Sequence, residues 1–341
     1  MLGRPFPAAM MVAALALVTG SSSALAAPDY QVTKTVPLGA PDHWDYVVYD
    51  PASHRVFVAH GDQLAVVDGS SGSVLGAVRG LSTATHGIGI SAANGRGYTD
   101  DSEAGTAGAF DLATLKPVKT IKAGSDADAI AVDPVSGHVV VVNGDSGTVT
   151  VIDPKADAAL ATVELGGKLE YAVADGAGSV FINGAGKREI IRFDMAGNKV
   201  AARYPVPDCE SPHGLAIDRA TKRLFSSCLN GVLMVVDAGT GRIVAKPPIG
   251  LGSDAAAFDP KRKLVLSANG KDGTLSVIEE RDAETFLPVA TIKTAISART
   301  MDIDPETGRL YLVAADLESP AVGRPHAVPG SLRLLFLDPS P

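Results

Sequence analysis

Residues 140–153 read Val-Val-Val-Asn-Gly-Asp-Ser-Gly-Thr-Val-Thr-Val-Ile-Asp: two β-branched runs on either side of Gly144-Asp145-Ser146-Gly147. Branched side chains suit a pleated surface, and a short Gly/Asp/Ser link between two such runs reads as a hairpin. The unit extends outward from that hairpin. Strand a is expected at Ala129–Val132, b at Val139–Asn143, c at Thr148–Asp153 and d at Ala159–Val163. The alternation in Thr148-Val149-Thr150-Val151 predicts one wetter face for strand c. Strand a alternates small and large residues, as do Gly214–Ile217 and Ala255–Phe258, which suits the crowded innermost strand of a radial array.

The unit recurs. Its turn anchors are Asp50, Ser91, Asp133, Asp175, Asp218, Asp259 and Asp304, spaced by 41, 42, 42, 43, 41 and 45 residues. A period of this length with short strands is the signature of a β-propeller. The last unit holds strand a (Thr300–Ile303), b (Arg309–Val313) and c (Leu332–Leu337), then ends. The orphan strand Val32–Val36 resembles its missing d, and pairing the two leaves no open interior edge. The expected fold is therefore all-β: a seven-bladed β-propeller of four-stranded blades, closed by the N-terminal strand.

Residues 1–26 stand outside the repeat. Arg4 supplies a positive start, Ala8 to Val18 an apolar run, and Ala24-Leu25-Ala26 a small-x-small cleavage site. Residues 1–26 are thus expected to be a signal peptide, and 27–341 a single propeller domain. The apolar run is too short to span a bilayer and nothing comparable follows, so a periplasmic or secreted monomer without a membrane span is expected. Without Arg4, 38 acidic residues face 29 Lys+Arg, a net charge of about −9 that disfavours nucleic acid as a partner. Cys209 and Cys228 are the only cysteines. Export permits a disulfide, and the repeat frame puts both at one face, so they are expected to pair and pin Glu210–His213; two free thiols are the alternative.

Residues 140–153, and the related run from Leu266 to Ile278, resemble the repeat of YncE-like (YVTN-type) propellers, a likeness that extends over essentially all of 27–341. It implies the fold and implies export. Such propellers share no single reaction, so it implies no activity. The insertion Ala315–Gly330, with Arg324 and His326, is similar to an Arg-Pro … Pro-Gly insertion of those sequences. A long loop in a compact repeat predicts a lid over the mouth, the alternative being a brace against blade 1.

Five positions before the anchors stand Asp45, His86, Asp128, Glu170, His213, Asp254 and Arg299, all polar. They fall where strand a begins and are expected to ring the channel mouth. Neutral imidazole mixed with carboxylate suits a divalent transition metal ion, with His86, His213, Asp45 and Glu170 as candidate ligands. Arg299 offers a fork for a carboxylate. His43, Trp44, Glu210, Arg324 and His326 flank the ring as further ligand contacts, Trp44 through stacking. These residues fit a funnel for a small-molecule or peptide ligand, including one bridged by metal. The alternatives are a metal-dependent hydrolase or lyase at the same mouth, a solvated structural ring, or an envelope scaffold that uses the blade edges. His54, His60 and His138 read as turn or surface residues.

Overall fold

The Asp anchors act as turn clamps. The Asp50 carboxylate accepts the Ala52 N–H at 3.1 Å and the Ser53 hydroxyl at 2.6 Å. Asp218 does the same for Ala220 and Thr221, and Asp304 for Glu306 and Thr307. A side chain that satisfies the turn's own backbone ends strand a and starts strand b. Ser91 lacks the carboxylate, and its turn is a short 3-10 segment, Ala92–Asn94, in which the Asn94 amide donates to the Ser91 hydroxyl.

A computed structural model describes residues 29–318 and 325–340, together with residues 1 and 3. Seven antiparallel four-stranded sheets follow one another around an axis, with a two-stranded hairpin added in the insertion. Blade 3 comprises Ala127–Val132, Val139–Asn143, Thr148–Asp153 and Ala158–Glu164, within two residues of the expected bounds. Blade 7 takes its outer strand from the N-terminus. Tyr30–Pro37 pairs antiparallel with Arg333–Pro339, from Tyr30 opposite Pro339 to Pro37 opposite Arg333. The signal-peptide reading falls on residues outside those described, apart from Met1 and Gly3. Among the described residues no helix is long and apolar enough to cross a membrane.

Blades stack face to face, so both faces of strands b and c are covered. This corrects the expectation of a wetter face on strand c: Thr150 is fully buried, and the Asn143 side-chain amide donates to its hydroxyl at 3.1 Å. The same amide reaches Thr148 at 2.9 Å, and Asn269 repeats the clamp on Thr274 and Ser276. The Asn-Gly-x-x-Gly-Thr run is thus a hydrogen-bonded corner and not only a tight turn. The wet strand is d, where Ala158–Glu164 shows mostly exposed or half-buried residues. His60 is also corrected, since it is buried and its Nε2 donates to the Gly39 carbonyl at 3.0 Å, anchoring the segment that enters blade 1.

Candidate functional mouth of the channel

The seven residues at the starts of the inner strands meet around the axis in blade order. Asp45, His86 and Asp128, from blades 1 to 3, present one donor atom each within 4.8 Å of one another, as do Glu170, His213 and Asp254 from blades 4 to 6. Arg299 of blade 7 closes the circle, its Nε 2.9 Å from Asp254 and its Nη2 3.7 Å from Asp45. The two histidines thus fall in separate triads rather than facing one shared point.

Each triad is held from behind. Asp100, fully buried on blade 2, accepts the His86 N–H at 2.7 Å and the Gly87 N–H at 2.6 Å. Asn183, fully buried on blade 4, donates to the carbonyls of His213 at 2.7 Å and Gly214 at 3.1 Å. The Thr300 hydroxyl holds the Asp45 carbonyl at 2.7 Å. Asn183 escaped the sequence reading, although its place at the end of strand b, matching Asn143 and Asn269, was a usable signal.

The two imidazoles sit in different surroundings. A carbonyl can only accept, so the 2.9 Å contact between His213 Nδ1 and Ser211 O places the proton on Nδ1 and leaves the Nε2 lone pair facing Glu170 at 3.6 Å. His86 Nδ1 lies 3.6 Å from Asp128, is buried and has no hydrogen-bond partner. Burial lowers the His86 pKa and keeps the ring neutral. Burial also pushes the Glu170 carboxyl up to about 7, with His213 pulling the other way, and Asp45 up to about 7 against the pull of Arg299. Asp128 is raised well above the usual range by burial and by Asp45 and Glu170. The acids crowd one another in a poorly solvated ring.

Below the ring the channel is plugged. Tyr46 of blade 1 and Tyr171 of blade 4 meet across it with ring centroids 4.8 Å apart. Beyond the plug, a cavity of about 460 Å³ opens to the other face between the inner strands, with apolar walls such as Val48, Ile90 and Ile217. The mouth is therefore the floor of a cup.

The flanks of the cup come from loops. Cys209 and Cys228 form a disulfide, 19 residues apart, that pins the segment leading to His213. A Cys209→Ser/Cys228→Ser variant is expected to lose roughly 3 kcal/mol of stability, read from urea unfolding, since the cross-link closes a loop of about 20 residues. An unchanged midpoint would remove the disulfide from the stability of this blade. Glu210 is exposed and joins neither triad; its backbone N–H bonds Asn230. In the insertion, Leu317–Glu318 pairs with His326–Ala327, and the Gly330 N–H donates to Asp42 at 2.7 Å, a brace onto the segment before blade 1. Exposed His326 stands 3.8 Å from Glu318. Arg324 lies outside the described residues. Trp44 stacks under Arg299, whose guanidinium carbon is 5.3 Å from the ring centroid, and exposed His43 is next to it in sequence.

No family model matches the chain. Two curated relatives, both described as uncharacterized protein YncE, come from Salmonella typhimurium and Salmonella typhi. Each is 27% identical over 176 residues, or 50% of this chain and 48% of the relative. The chain thus spans about half the length of the curated relatives it matches. Among solved structures, the RRP9 WD40 repeats superpose with a TM-score of 0.75 at 12% identity, covering 91% of this chain and 99% of that one. U3-55K gives 0.73 at 12% identity, covering 90% and 98%. Hydrazine synthase of Kuenenia stuttgartiensis gives 0.70 at 13%, covering 81% and 94%. At these identities the structures speak for the fold alone. The match to YncE and the ring of seven four-stranded blades together support a YncE-like β-propeller.

Proposed function

We propose that this chain is an exported binding propeller whose mouth takes a divalent transition metal ion and, through it, a small-molecule or peptide ligand. The observation that carries this reading is the pair of triads, each one imidazole and two carboxylates with donor atoms within 4.8 Å. Three protein ligands leave a coordination position for water or an incoming group. A dication would also relieve the crowding of Asp45, Asp128 and Glu170, which Arg299 beside Asp45 and Lys168, 3.7 Å from Glu170, answer only in part.

Elemental analysis of protein prepared without chelator, then dialysed against zinc or manganese, tests it. About one equivalent of tightly held metal per occupied triad is expected. His213→Ala should lose the metal of its triad while keeping the thermal midpoint within a few degrees, and His86→Ala the other. A folded protein that holds no metal at micromolar concentration would overturn the reading and leave an organic-ligand funnel or a scaffold in its place.

One observation favours a second reading, a metal-dependent hydrolase or lyase. Glu170, with its pKa raised to about 7, stands 3.6 Å from His213 Nε2, and if His213 and Asp254 held the cation it would be left as a general base beside it. Turnover of lactones or esters that disappears in both His213→Ala and Glu170→Gln is its test.

A further inference from the structure

Beside the acidic ring lies a cavity of about 790 Å³ of opposite character, bounded by blade 1, blade 6 and the hairpin of the insertion. Its lining includes Lys271, Arg299, His43 and His326, with Asp42 as the one acid among its described residues. Asp42 is already engaged, accepting the Gly330 N–H. Lys271 is exposed and makes no ion pair among the described residues. Trp44 supplies an apolar wall. Arg299 belongs to both places, since it closes the ring of acids and faces this cavity.

We propose that this cavity is a carboxylate subsite, and that the ligand of the mouth is a small carboxylate-bearing chelator: one end reaches the cation at the ring, and a free carboxylate lies between Lys271 and Arg299 against the Trp44 wall. The second half of this statement rests on the metal reading above; the subsite itself does not. An anion next to a ring of acids needs a reason, and the segregation of charge supplies it. The ring presents carboxylates and imidazoles, the side cavity presents cations, and the two meet at Arg299. The cavity volume also lies within the range usual for small-molecule sites.

The chain contains one tryptophan, so its fluorescence comes from the wall of this cavity, where Trp44 also borders the pocket beside His86 and stacks on Arg299. Titration of the metal-free protein with glutarate, a dicarboxylate, is expected to change Trp44 emission saturably, while the neutral diamide of the same length does not. Lys271→Ala should weaken the glutarate titration about tenfold with an unchanged thermal midpoint, and Lys271→Arg should restore it. Zinc should tighten binding of citrate more than that of glutarate, because citrate can chelate while holding a carboxylate free. No saturable change with glutarate, an equal response to the diamide, or an unweakened Lys271→Ala variant would each overturn the subsite. If glutarate titrates and no metal binds, the subsite stands and the metal reading falls. If metal binds and glutarate does not titrate, the reverse holds.

Discussion

Between about pH 4 and pH 7 the metal-free protein is expected to become less stable as the pH rises. Glu170 and Asp45 are both raised to about 7 in the folded chain, from ordinary values of 4.5 and 3.8. Within that window the unfolded chain has released these protons and the folded chain still holds them. The folded state therefore binds more protons, and stability falls with pH until both forms are ionised. Glu170 alone is worth on the order of 3 kcal/mol at 1.36 kcal/mol per pKa unit. His86 acts in the opposite sense, because its lowered pKa adds stability as the pH rises toward 6.5. Asp302, raised to about 6 by burial in the lower half of the channel, adds to the decline. Urea midpoints at pH 4.5, 5.5, 6.5 and 7.5 measure the slope. Glu170→Gln should flatten it and stabilise the protein at pH 7.5. A metal ion at a hundred times its Kd should return about 2.7 kcal/mol at that pH. Stability that is flat or rising through the window, and indifferent to Glu170→Gln, would mean that the ring is better solvated than its burial implies.

Removal of residues 29–37 is expected to prevent folding. The strand Tyr30–Pro37 is the outer strand of blade 7, and Tyr30 and Val36 are buried in it at 1% and 6% exposure. Their burial alone is worth about 2–3 kcal/mol each. Its loss also removes the ladder along Arg333–Pro339 and uncovers Leu335 and Leu337, which pack in the core shared with blade 6. An apolar strand with a free edge invites pairing between chains. Typical domains are stable by only 5–15 kcal/mol, so the loss consumes most of that margin. The truncated chain should appear in inclusion bodies or lack a cooperative thermal transition, and a peptide of residues 29–37 supplied in trans should rescue part of it. A soluble truncated monomer with the parental thermal midpoint would show that the ring does not depend on this closure.

The repeat explains why the architecture was legible and the chemistry less so. Asp50, Asp218 and Asp304 each clamp a turn by the same local hydrogen bonds, so the period in the sequence is the period of a physical device. The ring could be found by counting from those clamps. Its partition into two triads could not, because it depends on the channel radius and on Arg299 reaching both Asp254 and Asp45 across the seam. Thr150 misled for a related reason: a polar side chain reads as wet until its buried partner, here Asn143, is known. His60 was misread likewise, its acceptor being a carbonyl 21 residues away in sequence. The charge segregation between ring and side cavity joins residues of blades 1, 6 and 7, and no local pattern announces it.

The meeting of Tyr46 and Tyr171 across the channel gives the mouth a single door. Whatever occupies the ring must depart by the route it arrived, past Trp44 and the hairpin of the insertion. Entry and exit are then the same event run in opposite directions. A second molecule cannot push the first through to the far side, so the time an occupant spends there is set at the rim and not along an axial path.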